Sequence, residues 1–439
     1  MNWPTENSPL KYRHLVTLVL VVAFSARLAA AGWWHWQAAA EGTLFRVGDS
    51  LSYWVLAEQI ASGRPYEYGS ENASVFRAPL YPILLAPFTW LGDQAGVLAA
   101  RCFGCCLGTL SVAGLMLLTY RAQGRIAALA CGTLAAFYPS AVGMSVVILS
   151  EAVFVPLMTL QFIVLQCLLA DAADRQTATS RLVVRCLWAG AIAGLCVLAR
   201  PSWLLFLPFC ATVFFIAVRR LQIAQLGLLA LIGLCVTMLP WWIRNASVTD
   251  RFVPTTLQVG PSLYDGLHEG ATGASDEGMQ FMQRFLAEQL EEDSRTTSPL
   301  ESTLEYRLNR RAQRAAIAWA GDHPGEVARL AWIKFLRTWS LWPDGGDIGS
   351  PAVRLAVTFS CFTVLLIAIS GTITLVGQRP LLALLVWLPC LYFTLLHMVF
   401  VGSIRYREPA VYLLTVPAGI AVAGFINWYL KPNDLKQRP

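Results

Sequence analysis

A chain of 439 residues that is 56% hydrophobic and 14% charged, with a mean hydropathy of +0.53, is not an ordinary soluble domain, which carries about 25% charged residues. Its net charge of +6 is small and makes no case for nucleic acid as a partner. The eleven cysteines fall within or at the ends of apolar runs, so they suggest neither a disulfide framework nor a metal site and read as small apolar residues.

Runs long enough to cross a bilayer predict ten spans, near 13–34, 95–119, 124–143, 148–170, 183–199, 202–218, 222–243, 353–376, 380–401 and 408–430. The first has no clear small-x-small cleavage site after it and reads as a retained span. The fifth and sixth abut at Arg200-Pro201, where the missing proline N–H makes a break. The chain thus divides into an N-terminal membrane region (1–243, with a first outer loop at 35–94), an outward segment (244–352) and C-terminal membrane helices (353–439).

Positive charge sets the orientation. Lys11 and Arg13 precede the first span. Arg121 and Arg125, then Arg175, Arg181 and Arg185, then Arg219 and Arg220, then Arg379 occupy alternate short loops, and Lys431, Lys436 and Arg438 the tail. With ten spans all of these share the cytoplasmic side with both termini. In the outward segment, 280–292 and 303–319 have helical periodicity with charged faces. From Glu326 to Trp342, one stripe carries Val327, Leu330, Ala331, Lys334, Phe335 and Thr338, the pattern of a helix at a membrane surface.

The candidate chemistry lies at the outward ends. Asp49 follows Gly48, which would ease the lead-in to a helix, and Asp49, Tyr53 and Ala57 share one helical face. A structural role for Asp49 would be complementing the helix dipole or capping the N-terminus. Arg77, in Phe76-Arg77-Ala78-Pro79-Leu80-Tyr81-Pro82, offers a planar fork suited to phosphate, or an anchor beside Tyr81. Glu151 opens the fourth span behind Ser150, a candidate cap. Arg200, Arg244, Arg405 and Arg407 stand at outward span ends, where the positive-inside bias does not put them. Several converging on one mouth would suit an anionic head group. Trp33, Trp34, Trp36, Trp241 and Trp242 mark an interfacial belt. Gly104/Gly108 and Gly190/Gly194 are helix-packing pairs. Asn72-Ala73-Ser74 and Asn245-Ala246-Ser247 match a glycosylation acceptor pattern.

Taken in order, Asp49 with Tyr53, the Arg77–Pro82 run, Leu149-Ser150-Glu151-Ala152, Ala199-Arg200-Pro201, Trp242-Ile243-Arg244-Asn245 and Arg405-Tyr406-Arg407-Glu408-Pro409 resemble the bacterial family 39 glycosyltransferases. These are GT-C fold relatives of the protein mannosyltransferases and the lipid A aminoarabinose transferase. The resemblance spans nearly the whole chain. It implies an all-α GT-C bundle of about ten transmembrane helices with outward-facing amphipathic helices, set in the bacterial inner membrane. It also implies a polyprenyl-phosphate-linked sugar as donor and an acceptor on a lipid, glycan or protein. Asp49 becomes the general base and Glu151 a second acid. Arg405, Arg77, Arg244, Arg200 and Arg407 become donor-phosphate ligands, and Tyr53 and Tyr81 substrate-facing aromatics. Ser50 departs from relatives with Asp-Glu in the first loop. No cofactor is implied, and no ligand cluster in the sequence requires a divalent metal, which stays open. A sugar hydroxyl needs a base as it attacks, and a departing phosphate needs cations, so the implied roles agree with the chemistry. A lipid-diphosphate-dependent glycan ligase or polymerase, and a lipid-linked sugar transporter or flippase, are the alternatives.

Overall fold

The computed structural model describes residues 9–69, 73–174, 176–276, 278–297, 299–300, 302–343 and 350–430. Arg175, Lys431, Lys436, Arg438 and Asn72 lie outside them. The described residues form helices and loops without a strand.

Chain order begins with α1 (Pro9–Ala40), the first span. The loop after it folds into α2 (Gly48–Ala61) and α3 (Leu80–Thr89), followed by α4 (Asp93–Gln123). Next come α5 (Arg125–Phe137) and α6 (Pro139–Val146), bent by 60°. Then α7 (Glu151–Ala173), α8 (Thr179–Ala199), α9 (Phe206–Val218) and α10 (Leu221–Thr249) follow. The intervening segment holds α11 (Val259–Gly266), α12 (Phe281–Arg295), α13 (Leu304–Asp322) and α14 (Pro324–Thr338). The chain closes with α15 (Pro351–Gln378), α16 (Pro380–Val399), α17 (Ile404–Leu413) and α18 (Thr415–Tyr429), the last two bent by 44°. Eight of the described helices are long and apolar enough to cross a membrane, or ten if each bent pair is one span. This is an integral membrane protein with the expected spans.

Both bends have a covalent cause. Pro139 cannot donate to the Ala135 carbonyl, nor Pro417 to that of Leu413, four residues earlier. Arg27 on α1 offsets the first loss: Nη2 donates to the Ala135 carbonyl at 3.4 Å and Nη1 to that of Ala136 at 3.3 Å. Proline also breaks the chain at Arg200-Pro201, where one 3₁₀ turn, Pro201–Trp203, separates α8 from α9.

Between lipid-soluble helices the hydrophobic effect gives little, so close approach and dispersion hold the bundle together. A Cβ at Gly190 would lie 1.7 Å from the Ala230 carbonyl oxygen, and one at Gly104 would lie 2.1 Å from that of Ser145. Both predicted glycine pairs sit at such contacts. Cysteine burial is less uniform than expected: Cys106 and Cys235 are exposed on the bundle's outside. Asn245 is fully buried and donates to the Val253 and Thr255 carbonyls, so it is not an accessible glycan acceptor. Trp241 is buried as well, its indole N–H on the Thr255 carbonyl, and does not belong to a lipid-facing belt.

The ends of the bundle differ. Tyr12 stacks on Tyr120, Arg125 sits over the Tyr12 ring, and Arg379 donates to the Arg121 carbonyl at 3.1 Å. These groups, predicted to share a side, meet at one end. The acidic residues of interest lie at the other.

Candidate functional site

Five charged side chains from five parts of the chain meet at that second end. Asp49 comes from the first turn of α2 and Arg77 from the loop before α3. Glu151 opens α7, Arg200 follows α8 and Arg405 lies in the first turn of α17. Arg405 is the hub. Its Nε and Nη2 donate to the two carboxylate oxygens of Glu151 at 2.7 and 3.3 Å, and its Nη1 to Asp49 Oδ2 at 3.0 Å. Arg77 Nη2 reaches Asp49 Oδ1 at 2.5 Å. Arg200 Nη1 lies 3.1 Å from Glu151 Oε1, outside hydrogen-bonding geometry, so that buried N–H group has no hydrogen-bond partner.

Each arm is held from behind. Arg77 Nε donates to Ser52 Oγ at 3.0 Å and Nη1 to Gln258 Oε1 at 2.9 Å, while its guanidinium lies 5.1 Å from the Tyr53 ring centre. Tyr53 packs edge-on against Tyr81. Both tyrosines are buried, so Tyr53 acts as the platform under Arg77 and Tyr81 as the support beneath Tyr53. Arg200 is set over Phe154, Phe393 and Tyr406. Below it Trp203 stacks on Phe206 at 3.8 Å and donates its indole N–H to Gln161 at 2.8 Å, making a rigid aromatic floor. Ser403 Oγ accepts the Arg405 N–H at 3.3 Å and caps α17.

The two carboxylates differ in access. Glu151 is 1% exposed, enclosed by Arg405 and Arg200, whereas the Asp49 side chain is 35% exposed. Burial alone would raise the Asp49 carboxyl, but Arg77 and then Arg405 outweigh it and hold the group below its usual range. Neither acid caps its helix. α2 has no side-chain cap, and Ser150 donates to Glu151 Oε2 at 3.4 Å without capping α7. Nor does Gly48 adopt a left-handed backbone.

Two arginines grouped with these in the sequence lie elsewhere. Arg407 is 1% exposed inside the bundle, donating to the Thr338 carbonyl at 2.8 Å and pairing with Glu408, which accepts from Tyr138 at 2.6 Å. Two residues along a helix is about 200° of rotation, so Arg405 and Arg407 face opposite ways. Arg244 donates to the Ser74 carbonyl at 2.7 Å and stacks over Tyr66 and Trp241, bracing the first loop from outside. Ser52, Gln258 and Ser403 escaped the sequence reading. As neutral residues in loops and helix starts they carry no periodic or charge signal. Among the described residues no three His, Cys, Asp or Glu side chains gather as a metal site.

No family model matches the chain, and no curated protein is detectably similar to it in sequence. Solved structures are similar to it in fold. Over 97% of its length the chain is similar to the oligosaccharyltransferase AglB from Archaeoglobus fulgidus in complex with an inhibitory peptide and a dolichol-phosphate (TM-score 0.60, 12% identity). The apo form of the Archaeoglobus fulgidus oligosaccharyltransferase gives a TM-score of 0.57 at 13% identity, again over 97% of this chain. The chain spans about half, 52%, of each of those proteins. ArnT from Cupriavidus metallidurans bound to undecaprenyl phosphate aligns over 94% of this chain and 77% of its own, with a TM-score of 0.42 and 13% identity. At these identities the likeness to the oligosaccharyltransferase concerns the fold, and the fold of this chain is the GT-C one.

Proposed function

We propose that the protein is a membrane glycosyltransferase that moves a sugar from a polyprenyl-phosphate donor to an acceptor hydroxyl, with Asp49 as general base. The observation that carries this reading is the charge balance at the mouth. Arg77, Arg200 and Arg405 meet only two carboxylates, Asp49 and Glu151, leaving one positive charge in excess. A sugar phosphodiester on a lipid carries one negative charge and supplies what is missing. A diphosphate carries more than the cluster can match, which places a diphosphate-dependent ligase second. The dolichol-phosphate held by the fold neighbour is in keeping with a lipid-phosphate ligand. Opening at one end of the bundle, the site lets a prenyl tail stay in lipid while its sugar meets water.

The chemistry follows from the contacts. A donor phosphate accepting from Arg405 and Arg77 takes N–H groups now given to Asp49. Losing those partners leaves burial to raise the Asp49 carboxyl, so donor binding turns a weakly basic carboxylate into a better proton acceptor. The acceptor oxygen attacks the anomeric carbon, its proton passes to Asp49, and the carbon–oxygen bond to phosphate breaks. The leaving phosphate is stabilised by Arg405 and the unpartnered N–H of Arg200. Direct displacement inverts the anomeric centre. Glu151, enclosed by two guanidiniums, holds Arg405 in place. In this reading the end of the bundle that holds the cluster faces the outer side of a bacterial cytoplasmic membrane, with both termini inside, and the positive-inside bias of the basic loops supports it.

The test uses the purified protein in vesicles carrying labelled undecaprenyl-phosphate sugars. Wild type is expected to transfer label to an added acceptor fraction and Asp49→Asn to transfer about 10²–10⁴-fold less. Movement of the sugar lipid across the bilayer without transfer would instead establish the transporter.

A further inference from the structure

Two side chains of the 244–352 segment grip the backbone on either side of the cluster. Lys334, on α14, is 0% exposed and donates its ammonium to the Val399 carbonyl at 2.8 Å. Val399 ends α16, and residues 400–403 lead straight into Arg405. Backbone without side chains closes around this lysine. A Cβ at Gly402 would lie 2.4 Å from the Lys334 carbonyl oxygen, and one at Gly266 would lie 3.1 Å from its Nζ. The Gly402 N–H donates to the Gly273 carbonyl at 2.9 Å. A methionine would fill this position on the apolar stripe without the cost of burying an ammonium. The bond to Val399, and a positive charge facing the buried Asp265 carboxylate, are what lysine adds.

Glu305, near the start of α13, does the same for the other arm. Its Oε2 accepts the Val75 N–H at 3.1 Å, and the Val75 carbonyl accepts the Leu257 N–H at 2.9 Å. Val75 is fully buried and stands two residues before Arg77. Next to Leu257, Gln258 accepts directly from Arg77. Each connection therefore holds or leads into an arginine of the cluster and is fastened by a side chain that is not part of it.

We propose that Lys334 and Glu305 are positioning residues through which the outward segment fixes Arg405 and Arg77 at the spacing that receives the donor phosphate. This rests on the phosphate-binding reading above. An acceptor that docks on the outward segment would then act on the donor site through these two bonds.

The test pairs hydrogen exchange with lipid binding, on the full chain in nanodiscs. Lys334→Met is expected to raise exchange in residues 399–406 and leave 73–77 unchanged, and Glu305→Leu to do the reverse. Glu305→Gln, which keeps an acceptor for Val75, should match wild type. Lys334→Gln, which keeps an N–H donor, should fall between. Affinity for undecaprenyl phosphate should drop about tenfold in Lys334→Met and in Glu305→Leu, the worth of one charged hydrogen bond. Unmoved exchange in a variant's own segment, equal opening of both segments by each variant, or affinities equal to wild type would overturn the proposal. If wild type itself binds no undecaprenyl phosphate, the functional reading fails, and the exchange data alone decide whether the two residues set the loops.

Discussion

Arg405 and Arg407 stand two residues apart on one short helix and show how differently the same chemistry is used at the mouth and inside the bundle. At the mouth, arginines outnumber acids, one guanidinium N–H has no hydrogen-bond partner and Asp49 is open to water. Inside, Arg407 and Glu408 form a closed pair, with the Thr338 carbonyl and the Tyr138 hydroxyl taking up further bonds. Arg27, also fully buried, gives its donors to Ser145, Tyr412 and the carbonyls freed at the Pro139 bend. Satisfied charge inside the bundle builds structure. The excess cation at the mouth invites a ligand.

The comparison breaks most sharply at the acids. Asp49→Asn should lower sugar transfer by about 10²–10⁴-fold, the usual worth of a general base, with the melting temperature little changed. Glu408→Gln should leave turnover per folded molecule near wild type and lower the melting temperature. Equal losses of turnover in both would mean that the mouth and the interior use their acids alike.

Next in size is the inner pair itself. Arg407→Met leaves the buried Glu408 uncompensated and should cost on the order of 3–5 kcal/mol in chemical unfolding. Adding Glu408→Gln should recover part of that loss, and the double-mutant cycle measures how much. Additive costs would mean that the two residues act separately.

A smaller effect tests the clamp on the first loop. Burial raises Glu305 to about 7, against the N–H groups of Val75 and Ser74 and the charge of Arg244, with Glu67 adding to the rise. A raised carboxyl binds its proton more tightly in the folded state. Its stabilising contribution is therefore complete below the unfolded value and is lost as pH climbs through about 7. Glu305→Gln keeps the neutral form, so its melting temperature relative to wild type should rise between pH 5 and pH 8 by a few degrees. A pH-independent difference would remove Glu305 from this role.

Much of this was legible in the sequence because membrane chemistry exaggerates it. Ten apolar runs, the Arg200-Pro201 break and the meeting of Arg125 and of Arg379 with residues 120–121 at one end needed only hydropathy, proline and charge. Glu151, Arg200 and Arg405 stand out as ionisable residues at span ends, and Asp49 and Arg77 as charges in the first outer loop. Arg407 was grouped with them because a motif read along the chain ignores rotation, and the turn of α17 sends it inward. Lys334 was visible as the one charge on an apolar stripe, yet that stripe read as a membrane-surface face. The sequence gives no sign that the bodies of α16 and α17 would cover it. Ser52, Gln258 and Ser403 depend on tertiary proximity and left no local signal.

The most direct measurement is retention of undecaprenyl phosphate, counted by native mass spectrometry on wild type, Arg405→Gln and Arg407→Met at matched folded concentration. One lipid is expected on wild type and on Arg407→Met, and none on Arg405→Gln. Retention by Arg405→Gln equal to wild type would contradict it.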